Sequence, residues 1–321
     1  MLQGTTKDLM PTLGVTPLSD ESLIGFMYRL AARQRRVSAT AFARSLGFDR
    51  LTNRPEPSWL EALAKACDVS FDQIAAISYG PPDAVRCTVR HRVLRARYLD
   101  QRGAASRKVC PACLMESPHH RCSWDLLCVS ACARHSTLLT DTCACGQPLH
   151  WPSGRDVTRN ACRLRCDLTK RVGDLLPPAD IEAVRAVAGL LGDEEFTHDA
   201  EQVRGLLPCQ DLDDGEVVDF IFRLGLERMG GQSKLFSIEQ IGEMAWQAHA
   251  AFTVGLAAAR DWPDGLAQVL EGIVARTNLP TPRSAAHRSV ARWLDDLSDG
   301  HGQVIRAALE DWRQRSDGSW C

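Results

Sequence analysis

Cys110-Pro-Ala-Cys113, Cys132-Ala-Arg-His135, Cys143-Ala-Cys145 and Cys162-Arg-Leu-Arg-Cys166 follow one another within 57 residues and supply eight metal-ligand side chains in four short groups. Two ligands a few residues apart sit on one tight turn, and two such pairs with a spacer make the layout of a zinc ribbon. The first set, Cys110, Cys113, Cys132 and His135, has that layout. The second, Cys143, Cys145, Cys162 and Cys166, is less regular but complete, and His150 is an alternative to one of its cysteines. Two structural Zn2+ sites are expected. Four protein ligands leave no position for an activated water, so the cluster argues for a scaffold and against a metalloenzyme.

Thirteen cysteines in 321 residues also allow disulfides. Residues 1–23 are mixed and polar rather than an apolar leader, and no run of 18 apolar residues occurs. A cytoplasmic chain without a membrane segment is expected, in which thiols stay reduced and clustered cysteine pairs hold metal. Cys122 and Cys128 flank Trp124 and are expected to pack; Cys67, Cys87, Cys209 and Cys321 lack partners at ligand spacing and count as ordinary thiols.

The net charge of −2 hides an asymmetry: residues 1–108 carry 17 Lys and Arg against 10 Asp and Glu, whereas residues 173–321 carry 13 against 25. The steepest run lies at residues 86–108, where Arg86, Arg90, Arg92, Arg95, Arg97, Arg102, Arg107 and Lys108 face one acid, Asp100. Such a segment either neutralises phosphates or an acidic partner, or is a solvated helix face. Arg86, Arg90, Arg92, Arg95 and Arg97 are the candidate contacts.

The N-terminal part reads as short punctuated helices. Ser19 is the expected N-cap of a first helix with the apolar stripe Leu23, Phe26, Met27 and Leu30; Ser38 caps a second that Gly47 stops. Residues 58–77 read as two helices around a tight turn at Asp68-Val69, with Ser70 and Gln73 as a capping box. The pair has the outline of a helix-turn-helix. Its second helix offers only Asp72 and Gln73 as polar groups, which suits packing or protein docking better than DNA reading.

Residues 121–131 read as one buried strand, and Leu138, Leu139 and Leu149 as a small core that metal must supplement. From Pro177 onward the pattern is helical: residues 181–191, 217–229, a helix capped at Ser237 with Gln240, one after Pro263, then 290–297 and 304–312. The expected fold is mainly α with small zinc-ribbon β elements. Its domains are an N-terminal helix-turn-helix region (1–108), tandem zinc-binding ribbons (109–172) and a C-terminal helical bundle (173–321).

Pro17-Leu-Ser-Asp-Glu-Ser-Leu23 with Tyr28-Arg29-Leu30, the Cys110-Pro-Ala-Cys113-Leu114 knuckle, Trp124, Cys132-x-x-His135 with Leu138-Leu139, Thr142-Cys-Ala-Cys-Gly146 and Asp261-Trp-Pro-Asp264 resemble, in this order and spacing, the TniQ family. The resemblance spans roughly residues 15–275 and is nearest to the type that works with CRISPR Cascade complexes. TniQ proteins, related to the TnsD selectors, are accessory proteins of DNA transposition. The resemblance implies target-site selection in a CRISPR-associated transposon: a bacterial, cytoplasmic protein that binds a guide-RNA Cascade complex and recruits an AAA+ ATPase regulator, which positions the transposase on target DNA. It also implies a head-to-tail homodimer. The eight ligands match the family's two zinc sites, with one departure, since Cys162-x3-Cys166 carries a longer gap than usual.

Two function classes follow. One is a non-catalytic adaptor between a target-recognition complex and the transposition ATPase. The other is a TnsD-like selector that binds DNA sequence directly. Enzymatic activity is not expected: Cys132 and His135 sit in a ligand turn, and no acidic constellation suggests nuclease chemistry.

Overall fold

The computed structural model describes residues 14–99, 107–151, 156–207, 210–230, 247–298 and 300–317. Four helices open it: α1 (Leu23–Arg33), α2 (Ala39–Ser45), α3 (Pro57–Cys67) and α4 (Phe71–Ala75). The cap of α1 is Ser22, whose Oγ accepts from the Gly25 amide, and not Ser19. The helix starts later because Asp20 and Glu21 are drawn inward: Glu21 holds Arg29 at 2.6 Å, and Asp20 is claimed by residues near the first ligand pair. Ser38 caps α2, and Gly47 follows at φ 89°, as its sequence position demands. α3 and α4 meet at Asp68 in the left-handed conformation, and Ser70 and Gln73 make the capping box on α4. With five residues, α4 is about 7.5 Å long. Leu23, Phe26, Met27, Leu30, Phe42, Leu63 and Ile74 fill this N-terminal core.

The basic run forms a hairpin rather than a helix: β1 (Arg86–Val89) pairs antiparallel with β2 (Arg92–Arg95) through a turn in which Arg90 and His91 have positive φ. Alternation of Cys87, Val89 and Leu94 with arginines lays one face on the C-terminal helices. The run 121–131 departs from the strand reading: Cys122–Asp125 is a 3-10 turn, and only β3 (Ala131–Cys132) is extended, paired with β4 (Thr137–Leu138). Hydrogen bonding of the neighbouring backbone to Asp20, Tyr98 and Leu126 replaces a ladder there. The short helix α5 (Pro111–Glu116) precedes it.

The C-terminal part contains α6 (Pro178–Leu190), α7 (Thr197–Leu206), α8 (Asp214–Arg228), α9 (Ala248–Arg260), α10 (Asp264–Arg276), α11 (Pro282–Leu294) and α12 (Gln303–Asp317). The expected cap at Ser237 lies outside the described residues. α8 is buried on every side from Gly215 to Glu227, as befits the central helix of a bundle. Gly225 and Gly255 set the crossing of α8 and α9, because a methyl at either would strike the carbonyl of Ala251 or of Ile221. Among the described residues no helix is long and apolar enough to cross a membrane.

Candidate metal centres

Each predicted ligand set converges. Cys110, Cys113, Cys132 and His135 form one group and Cys143, Cys145, Cys162 and Cys166 the other, with the ligand atoms of each within 4.8 Å of one another. In the first, Cys113 Sγ lies 3.6 Å from Cys132 Sγ, and His135 Nδ1 lies 3.5, 3.3 and 3.6 Å from the sulfurs of Cys110, Cys113 and Cys132. A tetrahedral zinc sets those edges at about 3.8 and about 3.5 Å, so the donor set fits that ion. His135 Nε2 sits 2.8 Å from Glu116 Oε1, and this contact turns Nδ1 toward the sulfurs.

Cys110 is the N-cap of α5 and Cys113 lies in its first turn, so the first pair opens a helix rather than sitting on a strand-borne knuckle. Pro111 at the first helical position, followed by Ala112 and Leu114, makes a helix the easier continuation. Cys132 and His135 come from the β3–β4 hairpin, whose turn places Ser136 at φ 50°.

The second centre is built from two turns. The Cys143 amide donates to Gln147 O (2.9 Å) and Gly146, at φ 76°, donates to Cys143 O. On the other side the extra residue of Cys162-x3-Cys166 is absorbed by Arg165 at φ 46°, which leaves the Cys166 amide 3.3 Å from Cys162 Sγ. Buried Asn160 ties the two turns, accepting from the His150 amide and donating to Pro148 O. Cys143 and Cys145 lie 3.0 Å apart, inside the tetrahedral edge of about 3.8 Å. His150 lends its backbone to this joint and is not one of the four clustered side chains. Cys122 and Cys128 are buried in the core shared with the C-terminal helices, apart from both centres, and Cys67 and Cys87 are likewise buried. Cys209 and Cys321 lie outside the described residues.

The surroundings of the first centre hold polar side chains that the sequence did not single out. Asp20 accepts from Arg121 and lies 2.8 Å from His119 Nε2 and 3.3 Å from Arg90. Buried His120 lies tilted against Trp151 and edges onto Trp124, with Nε2 3.2 Å from Lys108 O and Nδ1 3.1 Å from Ser22 Oγ. Burial pushes its pKa well below the ordinary histidine value, so it stays neutral. Only the run His119-His120-Arg121 hinted at this; its partner loop, 20–22, is a hundred residues away.

The candidate arginines are engaged inside the chain. Arg90 bridges Asp20 and Asp193 (3.3 and 3.2 Å), Arg92 meets Asp214 (2.9 Å), Arg95 meets Asp219 (3.4 Å) and Asp296, and Arg86 donates to Ser298 Oγ. Arg97 lies in a 3-10 turn, its side chain outside the described ones. Arg107 and Lys108 are buried donors: Arg107 to the carbonyls of Val157 and Arg159, Lys108 to those of Leu126 and Val129. Burial pushes Arg107 down to about 10.

No curated protein matches the sequence. A family model described as TniQ matches residues 12–139, a span that ends just after His135 and so contains the first centre with the loop and hairpin that anchor it, and this part of the chain belongs to the TniQ family.

Proposed function

We propose that the chain is a non-catalytic recruiting adaptor of DNA transposition, which joins a target-recognition complex, an RNA-guided Cascade, to the AAA+ regulator of the transposase and acts as a homodimer. Its TniQ region is that of a transposition-associated target-selection protein, and this match is the observation that carries the reading. The donor sets agree with it. Each cluster offers four side chains to a zinc ion, which suits structural sites that add folding energy. The basic hairpin and the acidic helices neutralise each other within the chain, so the adaptor reading does not draw on the basic run.

The test is co-purification. Tagged protein is expected to bring down the Cascade complex with its guide RNA, and separately the ATPase; retention of neither would end the proposal. Direct DNA binding is the second reading, and one observation favours it. Arg33 and Arg44 on the N-terminal helices, Arg35 and Arg50 in the turns after them, and Arg163 and Arg165 beside the second centre are exposed, with no side-chain partner among the described residues. A salt-dependent footprint on naked DNA that these six arginines support would select that reading.

A further inference from the structure

We propose that the second metal centre is a site of oxidation by peroxide, which joins Cys143 to Cys145 and Cys162 to Cys166 and frees the residues between the two pairs from the N-terminal core. The two centres differ in what solvent can reach. Cys110, Cys113 and Cys132 are 0, 1 and 5% exposed, so every sulfur of the first centre lies inside the chain. In the second only Cys143 is buried, at 2%, and Cys145, Cys162 and Cys166 are partly exposed. Exposed Arg163 and Arg165 stand between the last two. Thiolates are oxidised where they are accessible and lie in a basic setting, and the second centre meets both conditions.

The donor sets differ in the same direction. Four thiolates around a Zn2+ leave more negative charge on sulfur than three thiolates with a neutral histidine, and the second set is the all-cysteine one. Cys143 and Cys145 Sγ lie 3.0 Å apart, between a tetrahedral edge of about 3.8 Å and a disulfide bond of about 2 Å. The partly exposed Cys145 thiolate attacks the peroxide: an S–O bond forms, the O–O bond breaks and hydroxide leaves. Cys143 then attacks that sulfur, the S–S bond forms and a second hydroxide leaves. The two sulfurs have given up two electrons and the peroxide has taken them. A second peroxide oxidises Cys162 and Cys166 in the same way, and no thiolate remains to hold the metal.

The residues between the pairs close over the N-terminal core. Trp151 stacks on Tyr28 with ring centroids 4.9 Å apart, and the Arg107 guanidinium lies 5.1 Å from the Trp151 ring. Val157 is buried among the N-terminal helices, and Arg107 donates to its carbonyl at 2.7 Å and to that of Arg159. A shared ion ties one ligand turn to the other, whereas a disulfide within each pair does not. Oxidation therefore loosens this cover and brings Tyr28 and Arg107 toward the surface. The inference goes beyond the recruiting role and does not depend on it.

The test treats the whole zinc-loaded chain with hydrogen peroxide. Zinc release to a chromogenic chelator, disulfide mapping after alkylation and hydrogen exchange are followed together. One zinc is expected to leave roughly tenfold faster than the other, with Cys143–Cys145 and Cys162–Cys166 linkages formed and Cys110, Cys113 and Cys132 unoxidised. Residues 143–151 and 156–168 should lose protection while α8 keeps it, and dithiothreitol with added zinc should restore them. Cys145→His keeps a zinc ligand but removes the attacking sulfur, so its release should be roughly tenfold slower. The other readouts use the unaltered chain, so the result does not depend on this variant folding. Equal release from both centres overturns the proposal, as does a disulfide between the two turns, unchanged exchange after release, or a chain that carries no zinc at the second centre.

Discussion

The C-terminal helices and the cysteine-rich middle hold themselves together by opposite means. Around α8 the chain buries Val217, Phe220, Ile221, Phe222 and Leu224 against Leu256, Leu266 and Leu270 in one continuous core. Between Val109 and Leu168 the buried apolar groups are few, and several of them are the cysteines themselves. A core that small does little to offset the ordering of so many turns, and the two clusters that could hold metal ions lie in this region. The bundle uses polar groups as well, but as guests of α8: Glu216 meets His301 at 2.5 Å, Asp219 meets Arg223 at 2.9 Å, and Glu227 meets Arg276 at 3.3 Å.

The sharpest break of this contrast is removal of metal. A strong chelator, or Cys110→Ser with Cys113→Ser, is expected to remove about 10 kcal/mol at the first centre, because binding energy at such a site is folding energy. Hydrogen exchange should then open residues 107–151 while α8 and α9 stay protected; equal loss in both regions would refute the division. Cys162→Ser with Cys166→Ser should be narrower. Elemental analysis is expected to fall from two zincs to one with the first centre intact.

The reverse experiment follows in size. Gly255→Ala forces α9 off Ile221 and is expected to cost about 3 kcal/mol in thermal unfolding of the helices without lowering metal content. Next comes Arg90→Ala, which leaves Asp20 and Asp193 each short of a partner and should cost about 2 kcal/mol. It tests whether the two regions are coupled, since its effect should appear in both.

The smallest effect is a pH dependence confined to the bundle. Burial pushes Glu227 up to about 7 despite Arg276 beside it. The folded chain therefore holds this proton more tightly than the unfolded one. The resulting stability is fully present below the ordinary glutamate range and lost as pH rises through about 7. Glu227→Gln should remove that loss and gain on the order of 2 kcal/mol relative to the parent chain between pH 5 and pH 8. An unchanged difference across that range would show that Arg276 keeps the carboxylate charged.

Both ligand sets were legible in the sequence because metal ligands must be close in sequence to share a turn, and spacing records that. The same holds for Ser38, Gly47 and the Ser70–Gln73 box, which are local interactions. The N-cap of α1 was misplaced because Asp20 and Glu21 resemble the acidic first turn of a helix. Their roles instead depend on Arg121 and His119, far along the chain, and on Arg29. The basic run was legible as charge but not as a hairpin. Its arginines alternate with Cys87, Val89 and Leu94, a two-residue period hidden by the length of the charged stretch, and the acids that neutralise them lie beyond residue 190 or at Asp20.

The hairpin also bears on inheritance. Tyr79, Val89, Leu94 and Leu126 lie within the stretch matched to TniQ, yet they are buried in the same core as α8 and α9. Gly215, at the start of α8, has room for no side chain because the Val93 carbonyl lies against it. Position 215 is therefore held to glycine by the hairpin backbone whatever side chain stands at 93, and the Leu94 side chain, 3.3 Å from where a methyl would sit, is the one coupled to it. Exchange of the N-terminal stretch between relatives would transplant half of an interface, and descendants are expected to change hairpin and helix in step.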